Sequence, residues 1–130
     1  MDGQEQPEFM KQKAYDCALG CLVEVTLDLI GGKWKGVLPY HLLPGTLRFN
    51  ELRRRLSGIT QRMLTRQLRE LEDSGLIVRK VYAQVPPKVE YSLSKKGETL
   101  TPVIRALERW GEDHLTQSGV KFKKAALVSK

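Results

Sequence analysis

The segment from Ile59 to Gly75 constrains the fold more than any other part of this sequence. It reads "ITQRMLTRQLRELEDSG" and places leucines at 64, 68 and 71, a spacing that puts them on one face of an α-helix. Thr60 is a typical helix N-cap, and glycine is the residue most often found just past a helix C-terminus. The pattern therefore predicts an amphipathic helix between Thr60 and Gly75.

The next segment, "LIVRKVYAQVPPKVEYSL", follows this helix without a linker. Its alternating apolar and polar residues predict two strands, 76–83 and 89–93, joined by a turn over 84–88. Pro86 and Pro87 have a fixed φ and no N–H, so the tip is stiff before it binds anything. Lys88 can then meet a phosphate or the minor groove of DNA. Before the Thr60–Gly75 helix, "NELRRRLSG" predicts a short helix, and the tight turn "SGIT" joins the two helices. Two helices joined by a tight turn and followed directly by a hairpin form the winged helix-turn-helix arrangement.

The polar face of the predicted helix carries side chains suited to reading DNA. At about 100° per residue, the arginines lie opposite the leucines, with Gln61 and Thr65 between them. Arginine pairs with guanine, glutamine with adenine, and threonine with a phosphate or a thymine methyl. A merely solvated face is the alternative, but the stiff basic hairpin favours DNA contact. The predicted DNA-binding residues are Gln61, Arg62, Thr65, Arg66, Arg69 and Lys88.

Composition narrows the class of partner. The chain has 130 residues, the size of one domain, with 22 Lys+Arg against 15 Asp+Glu, a net charge of +7 and a pI near 9.6. Its partners are therefore expected to be anionic: nucleic acid, acidic lipid or an acidic protein. Residues 48–88 contain ten basic and four acidic residues, a net +6, so most of the excess lies in the predicted DNA-binding segment. Since no signal peptide or membrane-spanning run is visible, a cytoplasmic protein without a membrane partner is expected.

The remaining elements are expected to be mostly helical. A first helix should end at Gly31-Gly32, and a second, which Pro39 should kink or shorten, at Pro44. Asn50 is expected to cap a short helix after the extended "TLRF", and an apolar seam over 100–115 predicts a long last helix.

The predicted fold class is thus mainly α with a small β-hairpin wing. Three parts are expected along the chain: a polar N-terminal arm (1–20), a winged helix-turn-helix domain with its C-terminal helix (21–115) and a basic flexible tail (116–130).

Three stretches together carry a family resemblance: "LDLIGGKWKGVL", "LRFNELRRRLSGITQRMLTRQLRELEDSGLIVR" and "VPPKVEYSLSKKG". The chain resembles the HxlR family of bacterial winged helix-turn-helix transcription regulators, relatives of the MarR type, from about Cys21 to Trp110. The resemblance implies a homodimer held by the N- and C-terminal helices. It also implies two recognition helices in successive major grooves and wings in the flanking minor grooves.

The two cysteines, Cys17 and Cys21, are too few for a disulfide scaffold and fit thiols kept reduced in the cytosol. Their spacing, without a nearby histidine, is not that of a zinc site, so no metal or cofactor is expected. Many members of the resembled family have a cysteine nine residues before the isoleucine of "IGGKW", and in some it senses oxidants or electrophiles. Cys21 stands at that position, which makes it the candidate redox sensor; the alternative is a small buried hydrophobe. Cys17 is either a resolving thiol or incidental.

These features together predict a homodimeric, sequence-specific DNA-binding regulator, expected to repress from a pseudo-palindromic operator. Oxidants or small electrophiles acting through Cys21 are the leading effector hypothesis. Two alternatives remain: a ligand-responsive regulator of the same fold without thiol sensing, and a nucleic-acid-binding protein held by charge alone. An enzyme is not expected, because the sequence has no C-x-x-C pair, no glycine-rich phosphate loop and no clustered acid and base.

Overall fold

The computed structural model describes residues 19–123. Cys17, most of the predicted arm and the end of the predicted tail lie outside these residues. The helices in this range are α1 (Cys21–Ile30), α2 (Lys33–Leu42), α3 (Phe49–Arg55), α4 (Gln61–Asp73), α5 (Lys95–Glu98) and α6 (Thr101–Gln117). The strands are β1 (Leu47–Arg48), β2 (Ile77–Tyr82) and β3 (Lys88–Leu93).

The three strands form one antiparallel sheet in the order β1-β3-β2. Strands β2 and β3 make the predicted hairpin, with Ile77 opposite Leu93 and Tyr82 opposite Lys88. Lys88 is thus the first residue of β3, whereas the sequence placed it in the turn. Strand β1 pairs with the other edge of β3, which brings the chain before α3 onto the base of the hairpin. This is the predicted winged helix-turn-helix fold.

The core joins every helix of the helix-turn-helix unit to the sheet. The side chains of Leu38 in α2, Leu52 in α3 and Leu64 in α4 have no exposed surface. Tyr91 of β3 and Ile104 of α6 belong to the same apolar cluster. Burying one such side chain stabilises the fold by about 1.5–3 kcal/mol. The cluster therefore fixes the position of α4 relative to the other helices and the sheet. The leucine stripe predicted for α4 is confirmed, since Leu64, Leu68 and Leu71 are all buried.

Both ends of α4 have the predicted caps. The Thr60 Oγ1 accepts a hydrogen bond from the Met63 N–H at 3.0 Å. At the other end Gly75 has φ +80°, a left-handed conformation that favours glycine. The Gly75 N–H donates to the Glu72 carbonyl and the Leu76 N–H donates to the Leu71 carbonyl, each at 3.0 Å. These two bonds turn the chain from α4 into β2 within three residues.

The predicted cap of α3 is wrong. The N-cap is Arg48, whose backbone is extended and whose N–H donates to the Glu51 Oε1 at 2.9 Å. Asn50 lies inside the helix and is exposed. The reason is that Arg48 is still paired to β3, so the helix begins as soon as the chain leaves the sheet. Helix α2 runs through Pro39 to Leu42, and the proline ring is buried in the core.

Ser94 and Gly97 hold the start of α5 against the end of α4. The Ser94 Oγ accepts from the Gly97 N–H at 2.9 Å and donates to the Gly75 carbonyl at 2.6 Å. A Cβ at Gly97 would overlap the carbonyl oxygen of Leu76, so only glycine allows this approach. The end of the hairpin, the end of α4 and α5 therefore meet at one fixed point. Within residues 19–123 no helix is long and apolar enough to cross a membrane.

Candidate nucleic-acid interface

Five of the six predicted DNA-binding residues line one open groove of about 700 Å³ on the exposed face of α4. We call it the α4 groove, and its lining residues are Gln61, Arg62, Thr65, Arg66 and Arg69. The helix presents them together because the leucines on its opposite face are buried in the core. The structure therefore brings together the donors that the sequence singled out, although their contact with DNA stays a prediction.

The α4 groove contains three guanidinium groups and no carboxylate. Glu70 lies on its flank, where its Oε2 is 3.2 Å from the Arg66 Nε and its Oε1 is 2.9 Å from the Lys35 Nζ of α2. The hydrogen bond from Lys35, with a further one from Arg66, holds the pKa of the Glu70 carboxyl below its usual value. Glu70 is therefore ionised at neutral pH and offsets only part of the positive charge. The sequence interpretation missed Lys35, although the Arg66–Glu70 pair has the four-residue spacing of a helical ion pair.

Gln61 and Thr65 are held at the start of α4 by short-range contacts. The Thr65 Oγ1 donates to the Gln61 carbonyl at 2.9 Å. The Gln61 Oε1 accepts a long hydrogen bond, 3.5 Å, from the Arg53 Nη1 of α3. Arg53 therefore lies beside the α4 groove. A positive charge from α3 thus adds to those of α4 at this end.

Lys88, the sixth predicted residue, lies apart from the α4 groove on the wing. Its Nζ is 3.3 Å from the Glu90 Oε2 and 4.6 Å from the centre of the Tyr82 ring. The Tyr82 hydroxyl donates to the Glu90 Oε1 at 2.9 Å, and this bond, with Lys88, holds the pKa of Glu90 below its usual value. Lys80 also lies over the Tyr82 ring, at 4.9 Å. The lysine at the end of the stiff turn is therefore held in place rather than extended into solvent.

A second, polar cleft of about 440 Å³ lies between α3 and the wing. It is lined by Thr46, Arg48, Asn50, Glu51, Arg54 and Glu90. The cleft exists because Arg48 pairs with Glu90 across β1 and β3, residues far apart in the sequence. No local pattern in the sequence indicates it.

Cys21 is the first residue of α1, and its side chain is buried. The residues that follow it are apolar yet exposed: Leu22 by 75%, Val23 by 63% and Leu27 by 58%. On α6, Leu107 and Trp110 are exposed in the same way. An apolar groove of about 460 Å³ runs between α1, α2 and α6. Clustered apolar surface of this kind marks an interaction site.

His41 is a half-buried residue of α2. Its buried Nδ1 has no hydrogen-bond partner among the residues described. Burial, with a smaller effect of nearby Arg55, lowers the pKa of this histidine. In the described part of the chain, no group of three or more His, Cys, Asp or Glu side chains could hold a metal ion.

Comparison with known proteins gives consistent results. The sequence model of the HxlR-like helix-turn-helix family matches residues 29–119. The HTH-type transcriptional regulator YybR of Bacillus subtilis is 58% identical over 104 residues, covering 80% of this chain and 83% of YybR. YdeP of the same organism is 64% identical over 95 residues, covering 73% of this chain and 74% of YdeP. The oxidised form of the redox regulator HypR superposes with a TM-score of 0.69 at 61% identity, covering 72% of this chain and 96% of that one.

Proposed function

Because this chain belongs to the HxlR-like helix-turn-helix family of DNA-binding transcriptional regulators, we propose that it is a sequence-specific repressor that binds its operator as a homodimer. The observation that carries this proposal is the α4 groove. It combines three arginines with a glutamine and a threonine on one exposed helix face. Charge alone would attract DNA, but this set of donors can also distinguish bases in the major groove.

The homodimer is proposed from the apolar surface of α1 and α6. A second copy of the chain, packed against Leu22, Leu27, Leu107 and Trp110, removes these side chains from water. Two-fold symmetry then places two α4 helices about one turn of DNA apart, so the operator is pseudo-palindromic. The stiff wings, with Lys88, lie at the flanking minor grooves. The winged helix-turn-helix domain is proposed to span 21–115, and the protein to act in the cytoplasm without catalysing a reaction.

Fluorescence anisotropy with labelled duplexes tests the proposal. We expect the reduced protein, at a fixed physiological salt concentration, to prefer a duplex from upstream of its own gene over a scrambled duplex of equal length. Specific binding of this kind is typically about 10³-fold tighter than non-specific binding or more. Weak binding that is equal for every duplex, including sites sought by selection from a random library, would contradict sequence reading and favour a protein held by charge alone.

The thiol of Cys21 is proposed to make this regulator responsive to oxidants or electrophiles. Two observations support this: Cys21 begins α1, beside the apolar surface proposed for the dimer interface, and a solved structure of high similarity is described as a redox regulator. In reaction with hydrogen peroxide, the Cys21 thiols of two protomers would form one disulfide while the peroxide is reduced to two waters. A covalent change here would bias the dimer between two arrangements, of which one matches the half-site spacing.

Replacing Cys21 with serine is expected to remove the response to peroxide. Peroxide should weaken operator binding by the wild-type protein about fivefold to 150-fold, the usual range of coupling between two sites. The Cys21→Ser protein should bind equally well with and without peroxide, whereas the matched Cys17→Ser protein should respond like the wild type. Release of Cys21→Ser from DNA by peroxide would show that the thiol is not the sensor. It would then direct attention to a ligand in the apolar groove between α1, α2 and α6.

A further inference from the structure

Glu70 links the α4 groove to a helix that does not itself line the groove. Its two carboxylate oxygens are divided between two partners: Oε2 takes the Arg66 Nε, and Oε1 takes the Lys35 Nζ of α2. The exposed fraction of the side chain falls from Arg66, at 71%, to Glu70, at 37%, and to Lys35, at 27%. The Arg66 side chain therefore extends into solvent, while its partner Glu70 and the anchor Lys35 are progressively more buried.

The ion pair uses one particular donor of the guanidinium group. Arginine has five N–H donors in a planar fork. With Nε paired to Glu70, the N–H groups on Nη1 and Nη2 remain at the far end of the side chain. Those are the donors that reach guanine O6 and N7 together in a bidentate contact. The contact with Glu70 thus restrains the side chain without occupying the end that would read the base.

We infer that Glu70, anchored by Lys35, is a positioning residue that orients Arg66 for base recognition and so contributes to the sequence preference of this protein. The inference rests on the proposed function, since it concerns how a base is read. An unrestrained arginine samples many rotamers and loses that freedom on binding, whereas the paired side chain has already lost part of it. The orientation of the Arg66 side chain also depends on the position of α2, because Lys35 of α2 anchors Glu70.

The alternative role of Glu70 has the opposite signature. A carboxylate near DNA repels phosphates, so its removal should tighten binding to every duplex alike. A positioning residue instead affects the ratio of the two affinities, that for the operator duplex and that for a scrambled duplex. The two roles are therefore separable by measuring both duplexes at one salt concentration.

The test compares Glu70→Ala with Glu72→Ala. Both variants remove one carboxylate from α4 and replace it with a good helix former, but Glu72 lies outside the Lys35–Glu70–Arg66 arrangement. We expect Glu70→Ala to lower the affinity ratio about threefold to tenfold, within the usual range for coupled residues. Glu72→Ala should leave the ratio unchanged. In an Arg66→Ala background, Glu70→Ala should have no further effect on the ratio.

A spectroscopic measurement without DNA checks the same contact. The ¹⁵Nε–¹Hε signal of Arg66, identified by its loss in Arg66→Lys, should shift in Glu70→Ala and stay in place in Glu72→Ala. The inference would be overturned if Glu70→Ala left the Arg66 signal unchanged or left the affinity ratio unchanged. It would also be overturned if Glu70→Ala lowered the ratio equally in the Arg66→Ala background. If the wild-type protein itself had a ratio of one, the proposed function would fail and this inference with it. A high wild-type ratio that Glu70→Ala leaves intact would refute the inference alone.

Discussion

Replacing Arg66 with alanine is expected to weaken operator binding strongly. One bidentate contact between arginine and guanine contributes about 1–3 kcal/mol of discrimination, and the proposed homodimer makes that contact twice, for a total of about 2–6 kcal/mol per operator. The side chain is exposed, and its far end is open to a base. Anisotropy titrations of the operator duplex and a scrambled duplex, at one salt concentration, measure the effect.

Arg109→Ala is the matched control for this prediction. Arg109 is an exposed arginine of α6, outside the α4 groove, so its removal takes away the same charge from a different surface. We expect Arg109→Ala to weaken both duplexes slightly and to the same degree. If Arg66→Ala also weakened both duplexes equally, Arg66 would contact a phosphate and would not read a base.

Leu64→Ala is expected to produce a large loss of stability. Its side chain has no exposed surface and lies in the cluster that joins α4 to α2 and the sheet. Removing such a side chain leaves a cavity and typically lowers the free energy of unfolding by about 2–5 kcal/mol. Urea unfolding followed by circular dichroism, at one fixed protein concentration because a dimer's stability depends on it, measures the change.

Leu64→Met is the control, because methionine has a similar volume and adapts to the site. It should cost less than about 1.5 kcal/mol. A loss as large as that of Leu64→Ala would mean that the shape of leucine, rather than the filling of the site, stabilises the helix. A negligible loss in Leu64→Ala would contradict the burial of this position in the core.

The α4 helix was predictable because its determinants are local. The leucine spacing, the Thr60 cap and Gly75 all act within a few residues of each other, and backbone geometry alone converts them into a helix with one buried face. The same spacing puts the arginines on the opposite face, so the membership of the α4 groove followed from the sequence. The hairpin was predictable for a similar reason, since strand alternation and the proline turn are contiguous.

Local patterns failed where a neighbour distant in the sequence decides the outcome. Arg48, and not Asn50, caps α3 because β1 is already paired with β3. Lys88 was placed in the turn by the sequence, but it pairs with Tyr82 across the hairpin as the first residue of β3.

The sequence by itself determined which side chains α4 presents, because helical periodicity and capping depend on residues at most four positions apart. Only the tertiary structure decided how those side chains are held. Lys35 meets Glu70, and Arg53 meets Gln61, through the packing angles of α2 and α3 against α4. Those angles follow from the shapes of buried side chains in the shared core, which no short stretch of sequence specifies.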